Sequence, residues 1–237
     1  MSSINKYLPV AGLLAVAFYL AHVILGGALW PGYSHLAQPI SDLTANGAPN
    51  RQLILVLTWI YGGLALIFAI GQFSLYRPYR RGSLTLGLSL FIALHIVSLS
   101  YGLFPEDLGG GAVSFSGFMH IVVTCLLVPF TIAAPIVIGA GIKGVSRRPV
   151  FGNFSIICGC LIFVLGGISV VAMANKLAFF GLIERLNIGT LMLWMTVFAL
   201  FSLRNPPPAI VSAHTIKETS VFASRKSPIV SHAQRAK

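Results

Sequence analysis

The chain has 237 residues, of which 56% are hydrophobic and only 9% charged, and its formal net charge at pH 7 is +11. Soluble domains carry roughly 25% charged residues, so this composition leaves too few polar groups to cover a surface in water. It excludes a soluble globular domain and predicts an integral membrane protein.

Six apolar runs follow one another, separated by short polar or basic connections. Since a helix needs ~20 mainly apolar residues to cross a bilayer, the runs predict an all-α polytopic membrane protein with six transmembrane helices in one bundle. The spans cover about residues 8–30, 53–75, 83–104, 114–142, 151–174 and 186–203. The first is longer than the ~7–15-residue core of a signal peptide. Pro129 and Pro135, inside the fourth, are expected to kink it.

Two regions depart from this apolar pattern. Residues 31–51, PGYSHLAQPISDLTANGAPNR, hold three prolines and two glycines, which predicts a polar loop where Ser41 or Asp42 caps a short interfacial turn. After Arg204 the chain becomes rich in Pro, Ser, His and Lys, with too few apolar residues to form a core. We therefore predict a transmembrane domain over residues 1–204 and a disordered, basic cytoplasmic tail over 205–237.

The basic residues are concentrated in alternate connections. If both termini share one side of the membrane, the opposite side holds four of the five acids, namely Asp42, Glu106, Asp107 and Glu184. Because loops rich in Lys and Arg face the cytoplasm, we predict a multi-pass protein of the cell membrane with both termini cytoplasmic. The net positive charge then follows from this topology, and the basic tail would be attracted to anionic lipid headgroups. Since the basic residues are not interleaved with exposed aromatics, the expected partners are membrane lipids and not nucleic acid.

Three histidines lie within the predicted spans, near the same side of the membrane as these acids: His22, His95 and His120. On the fourth span, Ser116, His120 and Thr124 recur every four residues and form a polar stripe, and His95 shares a face of the third span with Ser98. Ionisable groups inside a bilayer usually face a cavity or a partner. We therefore expect the two stripes to face each other inside the bundle.

Two roles remain open for the histidines and acids at this side of the membrane. They either form structural hydrogen bonds or act as metal ligands and catalytic groups. Imidazole and carboxylate groups are zinc-type ligands, and a metal-bound water would be a nucleophile. The candidate ligands for a divalent metal are His95, Asp107 and His120. The candidate catalytic residues are Ser41, Asp42, Asp107 and His120, and the cluster is completed by His22, Glu184 and Arg185. Glu184 also suits the start of a helix, where the helix dipole favours an acid.

Three stretches of the chain carry a resemblance to a known family. The loop 31–51, the sequence Phe104-Pro105-Glu106-Asp107 followed by His120, and GLIERLNIGTLMLWMTVFAL at 181–200 resemble the domain-of-unknown-function 998 family of polytopic membrane proteins. The resemblance covers about residues 8–204 and implies a six-span layout similar to Frag1/DRAM-type proteins, some of which are linked to lipid handling. The positions that match the family's polar pattern are Ser41, Asp42, Pro105, Asp107, His120, Glu184, Arg185 and Trp194.

These observations support three alternative functions, of which we predict the first. It is the binding of a lipid or small amphiphile through the polar cluster on the extracytoplasmic side. The second is metal-dependent intramembrane hydrolysis of lipid amides or esters, similar in idea to alkaline ceramidases, although the chain lacks the closing HxxxH pair of that class. The third is proton-coupled transport using His95 and His120, for which the sequence shows neither an internal repeat nor an acid within a predicted span.

Overall fold

The computed structural model describes residues 7–145 and 149–205. Within these ranges the chain forms six α-helices and no β-strand: α1 (Leu8–Ala28), α2 (Arg51–Tyr76), α3 (Gly82–Leu99), α4 (Phe115–Lys143), α5 (Pro149–Ala174) and α6 (Phe180–Arg204). One-turn 3₁₀ helices extend α2 to Tyr79 and α3 to Gly102, and a third spans Ser41–Thr44. We call residues 29–50 loop A and residues 103–114 loop B. Apart from residue 205, the predicted tail lies outside the described residues.

All six helices are long and apolar enough to cross a membrane, with mean hydropathies of 1.8 to 2.7 over their most apolar windows. Five begin and end close to the predicted bounds, because the hydrocarbon thickness fixes the length of each apolar run. The sixth differs, since α6 begins at Phe180 and not near Leu186. Its first two turns therefore carry Glu184 and Arg185, which the sequence had placed in a connecting loop.

The helices pack in chain order. Each contacts its successor, and α1 also contacts α6. At the centre, the ring of Phe91 on α3 lies edge-on to Trp194 of α6 and Phe68 of α2, with centroids 5.1 Å and 5.7 Å away. Phe68 makes a similar contact with Phe198 at 5.5 Å. Edge-to-face aromatic pairs add roughly 0.5–1.5 kcal/mol beyond the area they bury, so this cluster stabilises the association of α2, α3 and α6.

Helix α4 continues through both of its prolines to Lys143. Beside the second proline, the Ser155 hydroxyl of α5 donates to the carbonyl oxygen of Pro135 at 2.6 Å, and the indole N–H of Trp194 donates to the Ser155 oxygen at 2.7 Å. The Ser155 hydroxyl is fully buried. Interhelical hydrogen bonds help to hold transmembrane helices together, so this chain of bonds joins α4, α5 and α6.

The helices alternate in direction, so three connections meet at one end of the molecule: loop A, loop B and residues 175–179 between α5 and α6. The polar residues singled out in the sequence are concentrated at this end. We refer to it as the loop end.

Candidate functional site

Arg185 of α6 holds loop A. One terminal nitrogen of its guanidinium donates to the carbonyl oxygen of Gln38 at 2.8 Å and to that of Gly181 at 2.9 Å, and the other donates to the Tyr33 hydroxyl. That hydroxyl donates in turn to the carbonyl oxygen of Pro39 at 2.6 Å. Burial raises the pKa of Tyr33 to about 12, so it remains a protonated donor at neutral pH. The planar guanidinium, with its fixed fork of donors, suits this role.

Two residues that precede Arg185 on α6 add two more ties to loop A. Glu184 accepts a hydrogen bond from the backbone N–H of Ile40 at 2.7 Å, and the N–H of Leu182 donates to the carbonyl oxygen of Leu36 at 3.0 Å. Because α6 begins at Phe180, Glu184 lies in the second turn. The expectation that it stands at the start of the helix is therefore wrong. Its carboxylate instead accepts a hydrogen bond from the backbone of loop A.

Asp42 joins loop A to loop B. The predicted turn is present as the 3₁₀ helix Ser41–Thr44, but no side chain caps it, so the expected capping by Ser41 or Asp42 is wrong. The Asp42 carboxylate instead accepts from the backbone N–H of Gly109 at 3.2 Å and from the Gln38 amide at 3.4 Å. A backbone bond from Asn46 to the carbonyl oxygen of Glu106, 3.1 Å long, adds a second tie.

Glu106 is the acid of loop B that faces loop A. Its carboxylate is hydrogen-bonded by Ser41, yet its Oε2 atom is buried with no hydrogen-bond partner. Burial raises the pKa of Glu106 to about 7, and the nearby negative charges of Asp42 and Asp107 act in the same direction. Near neutral pH this carboxyl group is therefore partly protonated, which relieves repulsion among neighbouring acids.

The raised pKa of Glu106 makes stability depend on pH. An acid whose pKa is higher in the folded state stabilises that state most when both forms are protonated, and the contribution is lost as pH rises through the folded pKa. We expect the melting temperature of the detergent-solubilised protein to fall as pH rises from 4.5 to about 7. Glu106→Gln should flatten this dependence. An unchanged pH profile in the variant would contradict the assignment.

Asp107 fixes the shape of loop B. Its two carboxylate oxygens accept from the Ser114 hydroxyl at 2.6 Å and from the Ser114 backbone N–H at 2.8 Å, and these bonds lower the pKa of Asp107. Ser114 then caps α4 by accepting from the N–H of Gly117 at 3.0 Å. A Cβ atom at Gly117 would collide with the Asp107 carboxylate. Asp107 thus sets the start of α4.

The polar stripe of α4 faces the end of α3 and loop B. The Ser116 hydroxyl donates to the carbonyl oxygen of Pro105 at 2.8 Å, and Nδ1 of His120 lies 3.0 Å from the carbonyl oxygen of Phe104. Thr124 shares a 2.9 Å hydrogen bond with the Tyr101 hydroxyl. The stripe therefore has partners at the loop end. His95 and Ser98, which were expected to face it, make no hydrogen bond to it: Ser98 bonds the backbone of its own helix, and neither ring nitrogen of His95 has a partner.

The other two histidines of the spans lie among aromatic rings. His22 is 3% exposed and packs edge-on against Tyr19 at 4.8 Å; His95 is 1% exposed and packs against Phe91 at 4.7 Å. Both ring nitrogens of His95 lack a hydrogen-bond partner. Across residues 7–145 and 149–205, no three His, Cys, Asp or Glu side chains are grouped so that they could hold a metal ion. The candidate set His95, Asp107 and His120 is therefore not assembled as a metal site.

Several residues of the site were not among the candidate site residues predicted from the sequence. The amide of Gln38, the hydroxyl of Tyr33 and the N–H of Gly109 all serve the predicted acids or Arg185. Each belongs to a polar loop, where such residue types are common. The sequence predicted only that the chain of loop A turns, at Gln38-Pro39 and Ala48-Pro49.

The architecture defines a polytopic α-helical membrane protein in which polar contacts at one end join α6 to loop A and loop A to loop B. Residues 11–200 match the family described as "Protein of unknown function (DUF998)", so the chain belongs to that family. This confirms the resemblance drawn from the loop motifs. No curated protein and no solved structure matches the chain.

Proposed function

We propose that the protein binds a lipid or small amphiphile through the polar cluster at the loop end. The observation that carries the proposal is a pair of unused polar atoms of opposite character: the Nε donor of Arg185 and the Oε2 acceptor of Glu106 are both buried without a partner. Buried polar groups normally have partners. A head group that carries both an acceptor and a donor, as a zwitterionic phospholipid does, would complement the two atoms.

The surroundings of the two atoms support this class of ligand. Leu36, Leu103 and Leu108 are exposed beside the cluster, at 53%, 66% and 54% of their surface. An amphiphile has an apolar part that such side chains contact and a polar part that the cluster binds. Among residues 7–145 and 149–205, no three His, Cys, Asp or Glu side chains are grouped so that they could hold a metal ion, so this part of the chain offers no observation that favours a metal-dependent hydrolase.

We also propose a membrane topology for the protein. The six helices form one bundle in the cell membrane with both termini in the cytoplasm, so that the loop end lies on the extracytoplasmic side. The excess of Lys and Arg in the opposite connections supports this orientation. Membrane lipids are then the natural partners. A reporter fused after Lys237 should be cytoplasmic, and an extracytoplasmic reporter would reverse the assignment of the site.

The binding proposal is tested by lipid retention. The purified protein is reconstituted in nanodiscs containing phosphatidylethanolamine and phosphatidylglycerol, transferred to detergent and analysed by native mass spectrometry. We expect bound phosphatidylethanolamine on the wild type and on the order of 10-fold weaker retention in Glu106→Gln, since losing one charged hydrogen bond costs about 1.5 kcal/mol.

The matched control is Lys176→Gln, which removes an exposed charge in the connection between α5 and α6. It should retain lipid as the wild type does. Equal retention in all three proteins, or no retained lipid on the wild type, would contradict the proposal.

A further inference from the structure

Loop B has its apolar side chains on the outside. Val113 is 94% exposed, and the exposed fractions of Leu103 and Leu108 are 66% and 54%. Phe115, the first residue of α4, is 74% exposed. Single exposed apolar residues are ordinary on protein surfaces, but a group of this kind marks a contact with an apolar partner.

The two acids of loop B have hydrogen-bond partners within the protein. Asp107 is bonded to Ser114, and Glu106 receives bonds from Ser41 through its side chain and from Asn46 through its backbone. Residues 103–114 include no Lys or Arg. Loop B therefore exposes apolar side chains while both of its acids are hydrogen-bonded within the protein and no positive charge is present.

The position of loop B along the membrane normal identifies the partner. With its 3₁₀ extension, α3 has 21 residues from Gly82 to Gly102. At 1.5 Å per residue this is ~32 Å, close to the ~30 Å of the hydrocarbon core. An α3 that crosses the hydrocarbon core along the membrane normal from Gly82 would therefore place Leu103 directly at the opposite boundary. The exposed apolar surface also continues along α4, where Phe118 and Ile121 are 53% and 44% exposed.

We infer that loop B is seated in the interfacial layer of the bilayer, with Leu108, Val113 and Phe115 in contact with lipid acyl chains. The continuity with the lipid-facing surface of α4 favours the bilayer over a partner protein. Burial of these side chains stabilises the loop by the same hydrophobic term that holds interfacial segments on membranes. The polar cluster beneath loop B would then border the leaflet directly. The inference stands whether or not the cluster binds a ligand.

The test uses a fluorescent label at Val113. Cys125, Cys158 and Cys160 are first replaced by alanine, and Val113→Cys is labelled with an environment-sensitive dye after reconstitution in phosphatidylcholine vesicles. The comparison site is Lys176→Cys, an exposed position at the same end of the molecule. We expect brominated acyl chains to quench the label at 113 roughly two- to threefold more than the label at 176, and aqueous iodide to show the opposite order.

Two results would overturn the inference. Equal iodide quenching at both positions would place loop B in water. Protection of the Val113 label from both quenchers would indicate a protein contact. Quenching reports the depth of residue 113 in the bilayer and not the occupancy of the polar cluster, so a failure of this test is distinct from a failure of lipid retention at the cluster.

Discussion

Replacing Arg185 with methionine is expected to lower the free energy of unfolding by about 3 kcal/mol, because hydrogen bonds from a charged donor contribute roughly 1.5–3 kcal/mol each and part of the loss is recovered by water. Three bonds disappear, to Gln38, Gly181 and Tyr33. The adjacent Glu184 also loses a compensating positive charge. In detergent this corresponds to a melting temperature lower by about 10 °C.

Two further variants separate the role of the guanidinium from that of the charge. Arg185→Lys keeps the charge but not the fork of donors, so it should fall between the wild type and the methionine variant. Arg204→Met removes the same residue type from an exposed position at the other end of α6, and surface changes usually stay within about 0.5 kcal/mol. Equal melting temperatures for the two methionine variants would show that Arg185 does not hold loop A.

Gly181→Ala is expected to destabilise the protein by about 2 kcal/mol, as overpacking of tight contacts does. A Cβ atom at this position would collide with the carbonyl oxygen of Gln38 and lie 2.9 Å from the Arg185 guanidinium. The methyl group would therefore push loop A away from α6 and lengthen the bonds that Arg185 makes. Thermal unfolding measures the loss, and faster proteolysis of loop A in the native protein would report the local displacement.

Gly189 provides the matched control on the same helix. A Cβ atom there meets nothing within 4 Å. Alanine is about 1 kcal/mol more favourable than glycine inside a helix, so Gly189→Ala should leave stability unchanged or raise it. The two substitutions are expected to change stability in opposite directions, and this difference tests whether loop A packs closely against Gly181. Stabilisation by both would show that loop A does not press against Gly181.

The sequence could predict the number and length of the helices because the bilayer imposes the same physical requirement on every span. About 20 apolar residues are needed whatever the neighbours are. The motif around Asp42 and the stretch of α6 that contains Glu184 and Arg185 correctly indicated the family. These residues were also correctly placed at one end of the molecule. Ser116, His120 and Thr124 could be placed on one face because helical spacing is local.

The partners of those residues depended on the tertiary structure. Glu184 and Ile40 are 144 residues apart, and Arg185 and Gln38 are 147 residues apart. No local pattern specifies such pairs. The start of α6 was misplaced for a related reason, since its charged second turn remains helical by bonding to loop A and not by facing lipid. His95 and Asp107 were grouped from their order in the chain, whereas the fold surrounds one with aromatic rings and bonds the other to Ser114.

What the sequence alone determined was therefore membrane insertion, since that depends on the composition of each segment separately. What only the tertiary structure decided was which polar groups satisfy one another at the loop end. That choice depends on the packing of α6 against loop A and of loop A against loop B. Each of these hydrogen bonds contributes to stability, because a buried polar group left without a partner lowers the free energy of unfolding by about 1–3 kcal/mol.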